Sequence, residues 1–266
     1  MQANTKIEKQ RIVAGTSYEL EFYDGFESGR IETRRWIPFY LPQWSSRKSS
    51  APRFEFSDHG FQLKIEKDQE PWCPEFNGAV RVSSLQTGLF SGPLGSSIGQ
   101  HRFSKNCVVR EAQPTEKTYV PKYGYFELRA RCDISGNNVA ALWMIGFEDI
   151  PERSAEICIF ELKGKNVTAS HSIIGYGIHP FGDPEIVDEF YEDSFAIDVS
   201  EFNTYAVEWT ESKVDFFINH RKIRTIDQSP DYEMQLMLNI YDLENRNSDK
   251  MSFFVDYVAG YRAANP

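Results

Sequence analysis

Apolar and polar residues alternate in short runs along this chain, and most runs close on Gly, Pro, Asn or Asp. A period of two predicts half-buried strands rather than helices. The first runs are "SYELEFYDGF", "GFQLKIEK", "AVRVSSLQTG" and "NCVVREA". In "YGYFELRARCD", Phe126, Leu128 and Ala130 face one way, and Glu127, Arg129 and Arg131 the other. "NVAALWMIG", "AEICIFELKG", "TASHSIIGYGI", "TYAVEW", "KVDFFINHRKIRTI", "MQLMLNI" and "SFFVDYVAGY" complete the series. About thirteen such runs predict an all-β chain folded as a large antiparallel β-sandwich. Asn219-His220, both tolerant of positive φ, predict a hairpin turn.

No repeat or low-complexity linker divides the sequence, so residues 1–266 read as a single domain, with 1–17 an irregular or flexible N-terminal segment. Two long polar stretches, 42–57 and 86–105, are rich in Ser, Pro and Gly. Loops of that length are uncommon unless functional or mobile, and they are expected at the rim of a cleft.

Charge narrows the partners. The formal net charge is −10 and the basic residues are scattered. Such a field repels polyanions, which argues against nucleic acid and anionic membrane surfaces and leaves neutral polymers open. No apolar run approaches the roughly 18 residues of a membrane span. The opening "MQANTKIEKQRIVAG" lacks the apolar stretch of a secretory signal, which leaves a cytoplasmic protein or a secreted one whose signal has been removed. Cys73, Cys107, Cys132 and Cys158 form no C-x-x-C pair, so free thiols are expected over a zinc site or a disulfide framework.

The candidate chemistry lies in "EICIFE", residues 156–161. Residues five apart fall on opposite faces of a regular strand, and two glutamates there are ordinarily a solvated surface. A β-bulge shared by Ile159 and Phe160 resets the alternation and turns Glu156, Cys158 and Glu161 to one face. Two carboxyls so paired approach the spacing of about 5–5.5 Å used by retaining glycosidases.

The segment resembles the E-[IL]-D-[IV]-x-E strand of glycoside hydrolase family 16, which holds the laminarinase and lichenase relatives. "YGYFELRAR", "AALWMIG", "GYGIHP", "FNTYAVEW", "VDFFINHRKI", "LMLNI" and "FFVDYV" fall in the family's order, from about Glu21 to Tyr261. The resemblance implies a concanavalin-like jelly roll of two stacked sheets with a concave sugar-binding groove. It implies Glu156 as nucleophile and Glu161 as general acid/base of a β-1,3- or β-1,3-1,4-glucanase acting on neutral β-glucan. A non-catalytic carbohydrate-binding member is the alternative. The chain departs from the motif at Cys158, where active relatives carry an Asp that charges the space between the two acids. A cysteine hydrolase using Cys158 with His171 or His179 is a third reading, though no activating neighbour stands beside the thiol in sequence.

The same resemblance implies sugar contacts at Trp143, Trp209, His179 and Arg81, and Asn239 in "LMLNI" is expected to face the groove from its strand. Trp44 and Trp72 join them as rim-loop aromatics able to cover the apolar face of a sugar. Each has a structural competitor: a core or loop anchor for the tryptophans, a satisfied histidine for His179, a salt bridge for Arg81. No cofactor is required. A structural calcium is implied at Gly25, Gly60 and Asp256, through carbonyl and carboxylate oxygens suited to a hard cation.

Overall fold

The computed structural model describes residues 7–57, 60–168, 170–244 and 251–264. Seventeen strands dominate it. The N-terminal half holds β1 (Gln10–Val13), β2 (Thr16–Asp24), β3 (Arg53–Ser57), β4 (Gly60–Lys64), β5 (Arg81–Gln86), β6 (Gly88–Leu89), β7 (Glu116–Lys117) and β8 (Gly124–Ile134). Then come β9 (Asn138–Gly146), β10 (Glu156–Val167), β11 (Ser172–His179), β12 (Glu189–Phe195) and β13 (Asn203–Trp209). The chain finishes with β14 (Val214–Ile218), β15 (Arg221–Ile226), β16 (Met234–Asp242) and β17 (Met251–Ala263). Among the described residues helix is confined to single turns at Pro42–Trp44 and Pro74–Asn77.

Two antiparallel sheets stack. One runs β1-β2-β17-β8-β13-β14-β15, with β4 also on β17 and β3 on β4; the other runs β12-β11-β10-β9-β16-β5. Alternation explains the layer between them. Phe126, Leu128 and Ala130 of β8 pack with Tyr205, Val207 and Trp209 of β13. They meet Leu142 and Met144 of β9, Ile174, Tyr176 and Ile178 of β11, and Leu238 and Ile240 of β16. Burying such side chains is the main stabilising term of the sandwich. The expected hairpin is present, with φ of 49° at Asn219 and 62° at His220.

Three expectations need correction. The N-terminal segment is not irregular throughout, because β1 and the start of β2 lie within it; residues 1–6 fall outside the described residues. Arg11 anchors this stretch, pairing with the buried Glu127 carboxylate and lying 5.1 Å over the Tyr125 ring. "NCVVREA" is not a strand. Cys107 and Val109 instead join Leu41, Trp44, Trp72 and Cys73 in a second apolar cluster over the outer face of the six-stranded sheet. Of the two long loops, 86–105 does border the groove through His101, whereas 42–57 divides into a buried turn at Pro42–Trp44 and strand β3.

Candidate active site

The strand carrying the two acids is bulged. Against β9, Cys158 faces Trp143 and Phe160 faces Leu142, so two steps of β10 match one of its neighbour. Against β11 the register slips between Cys158↔Gly177 and Glu161↔Gly175. The extra residue resets the pleat. Ile157, Ile159, Phe160 and Leu162 all enter the inter-sheet core, while Cys158 belongs to the outer cluster with Trp143. Glu156, Glu161 and Lys163 line one groove of about 310 Å³ on that outer face.

The neighbouring strands make room for the acids. The positions of β11 opposite Glu161 and Cys158 are both glycine. A Cβ at Gly175 would lie 2.7 Å from the Phe190 ring, and Gly177 adopts φ 146° with Glu189 O in the way of a side chain. Next along β11, His179 sits opposite Glu156 and is stacked on Phe190 at 4.6 Å, its Nδ1 bonded to Asp188 Oδ1 at 2.7 Å. On the other flank Trp143 meets His101 at 5.1 Å.

Burial, and then the nearby charge of Glu161, hold the Glu156 carboxyl well above the usual carboxylate range. Glu161 is partly open to solvent, with Lys163 Nζ 3.3 Å from its Oε1 and 2.9 Å from Glu192 Oε1. Cys158 is buried, and burial first, then both glutamates, push its thiol up. A thiol so held is neither ionised nor reachable, which overturns the cysteine-hydrolase reading. His171 is far along the strand, in an exposed turn with Thr168 and Ser170. All four cysteines are free and buried.

Of the expected sugar contacts, Trp143 and His179 join the acids in the groove. Asn239 shares their face of the sheet, opposite Ala141 and Ser84, but is sealed from solvent. Its amide N and O have no hydrogen-bond partner among the described residues.

The others lie elsewhere. Trp209 points into the inter-sheet core, its Nε1 donating to Ser229 Oγ at 2.9 Å, because its position on β13 alternates inward with Tyr205 and Val207. Trp44 and Trp72 are loop anchors, donating to Gln100 O and Asn77 Oδ1 at 2.9 and 2.8 Å. Arg81 is fully buried against Asp242 and also donates to Glu66 O.

The calcium expectation meets a poor donor set. The Asp256 carboxylate, the one charged ligand of the three, is ion-paired with Arg129, so a cation would have to displace a guanidinium. Among the described residues no group of three His, Cys, Asp or Glu converges as a metal site. Added Ca²⁺ or a chelator is therefore expected to leave the melting temperature unchanged; a Ca²⁺-dependent rise in a thermal scan would restore the site.

Several groove residues went unread in the sequence. Lys163 and Tyr241 were within reach, since each lies two positions beyond a residue already singled out and so on the same face. Tyr40, His101 and Phe181 come from loops with no periodicity to betray them.

Comparison with known proteins follows the same lines. The model of the family described as "Glycosyl hydrolases family 16" matches residues 110–259. Among solved structures, a GlcNAcα1-4Gal releasing endo-β-galactosidase from Clostridium perfringens is 26% identical, with a TM-score of 0.83 over 99% of this chain. This chain spans 65% of that protein's length. A laminarinase from Flavobacterium sp. UMI-01 is 17% identical, covering 92% of this chain and 100% of its own, with a TM-score of 0.62. An endo-β-1,3-glucanase from Pyrococcus furiosus, 12% identical over 98% of this chain and 100% of its own, scores 0.61. At those identities the two glucanases speak for the fold alone. No curated protein matches the sequence. With more than half of its length matched by the family model, the chain belongs to glycosyl hydrolase family 16.

Proposed function

We propose that this protein is a retaining endo-glycosidase acting on β-1,3 or mixed β-1,3-1,4 glucan, with Glu156 as nucleophile and Glu161 as general acid/base. The observation that carries the reading is the bulge at Ile159–Phe160, with two carboxyls on one face of an aromatic-lined groove. In the first step a Glu156 carboxylate oxygen bonds to the anomeric carbon while Glu161 gives its proton to the departing glycosidic oxygen. Water then attacks the same carbon, returns a proton to Glu161 and frees Glu156, so configuration is retained.

Proton placement is the demanding part. In the free protein burial favours the proton on Glu156, and Lys163 stands beside Glu161. Coupled carboxyls titrate as a pair, and turnover draws on the form with the proton on Glu161. Positive charge growing on the sugar next to Glu156 favours that form in the transition state.

A second reading, cleavage of a β-galactosidic bond, is favoured by the TM-score of 0.83 to the Clostridium endo-β-galactosidase against 0.62 to the laminarinase. Reducing-end release from laminarin, mixed-linkage β-glucan and β-galactan separates the two, with early product anomers read by NMR. Inverted anomers would sink the retaining mechanism. Binding without release from any polymer would leave the carbohydrate-binding alternative.

Cys158 gives a further expectation. Across the bulge Cys158 and Glu161 stand opposite Gly177 and Gly175, two apart on β11, so a carboxylate at 158 would share the face of the acid/base carboxyl and favour its protonated form. Cys158→Asp is thus expected to raise kcat near neutral pH and move the optimum upward, at some loss of stability from burying an acid. A pH–rate profile identical to wild type would remove any role for the cysteine.

A further inference from the structure

Beyond the Glu156 end of the groove a second cavity opens, of about 500 Å³, and the two share His101 and Phe181. Three separate loops wall it. Ile98 comes from the stretch before His101, Glu148 and Ser154 from the β9–β10 connection, and Phe181 from the β11–β12 connection. We propose that this cavity is a sugar subsite continuing the groove past Glu156, taking one neutral pyranose of the same polysaccharide on the Phe181 ring. The proposal rests on the glycosidase reading of the groove.

Shape and chemistry both point that way. Trp143, His101 and Phe181 form an aromatic row leading out of the groove, with ring centroids 5.1 and 4.8 Å apart. Phe181 ends that row 54% exposed, an apolar ring held in water where the flat face of a sugar can cover it. Among the described residues nine non-glycine positions have positive φ, and three of them, His101 (47°), Glu148 (58°) and Phe181 (43°), line this cavity. L residues disfavour that conformation, and its concentration around one cavity is the pattern of a functional site.

The polar groups suit a neutral ligand. Glu148 is buried, and burial pushes its carboxyl up to about 8, so at neutral pH it is an uncharged group that both donates and accepts. It accepts from His101 N at 2.6 Å and has no other hydrogen-bond partner among the described residues. Burial and the nearby His179 push His101 down to about 4, leaving that ring uncharged as well. Ser154 Oγ accepts from Gly182 N at 2.9 Å, which leaves its own proton to donate. Arg102 at the mouth is turned back onto Lys105 O.

The test uses Glu161→Gln as a non-hydrolysing trap and titrates it calorimetrically with tetra- and hexasaccharides of laminarin and of β-1,4-galactan. The hexasaccharide of one series is expected to bind about tenfold tighter than its tetrasaccharide. Adding Phe181→Ala should abolish that step, and adding Glu148→Gln should shrink it several-fold. Phe181→Ala removes an exposed ring, so it keeps the test valid should the Glu148 variant fail to fold. Absence of the step, or its persistence in both double variants, overturns the proposal. Hydrolysis by wild type with an unaltered step leaves the glycosidase reading standing and the subsite fallen. A step lost in Phe181→Ala, with wild type cleaving none of the polymers, upholds the subsite and fells the hydrolytic reading.

Discussion

Glu161→Gln is expected to lower kcat by about three decades, and Glu156→Gln by at least as much, since each removes one half of a two-carboxyl mechanism. Azide with an aryl glycoside separates the roles. With Glu156→Ala it attacks in place of the missing nucleophile and yields the α-glycosyl azide. With Glu161→Ala it captures the covalent intermediate and yields the β-glycosyl azide. Stability should move the other way for Glu156. A carboxyl whose folded pKa lies above its ordinary value of 4.5 binds its proton more tightly when folded, so stability falls as pH rises past that value. Glu156→Gln removes that loss, and at pH 7 the variant should melt no lower than wild type. Activity retained in either variant would defeat the assignment; a collapse in melting temperature would make the lost activity uninformative.

The second large effect belongs to Arg81, which the family resemblance casts as a sugar-binding residue. Its guanidinium is sealed in the protein, 2.5 Å from Asp242 Oδ2, with Glu66 O and Lys67 O as further acceptors. Removing one member of a buried ion pair strands the other and costs about 3–5 kcal/mol. For a chain of this size that lowers the melting temperature by on the order of 10 °C in Arg81→Ala. The double variant Arg81→Met/Asp242→Leu, which leaves no charge stranded, should recover most of the loss. Below the transition, KM should stay within about twofold of wild type. A raised KM with an unchanged melting temperature would return Arg81 to the groove.

Legibility differed by residue for physical reasons. Glu156, Cys158 and Glu161 could be read because the family motif marks them and a bulge is a local device that puts residues five apart on one face, and the register shows it. Trp143 and His179 came from the family resemblance, and both line the groove. Trp209 misled because alternation says which side of its own sheet a side chain takes. Which sheet that strand joins is a matter of pairing, and β13 lies in the nine-stranded one. Trp44 and Trp72 misled because a loop tryptophan able to cover a sugar is equally able to anchor the loop, and each indole here donates inward.

By itself the sequence determined the all-β sandwich and the hairpin at Asn219-His220, which follow from local spacing and intrinsic backbone preference; the paired acids came from the family motif, since spacing alone sets residues five apart on opposite faces. Tertiary structure alone decided what stands around the acids. The burial that loads a proton onto Glu156 and the meeting of His101, Glu148 and Phe181 depend on residues up to 80 positions apart. Desolvation and contact between loops depend on how the whole chain closes, and no short window of sequence carries that.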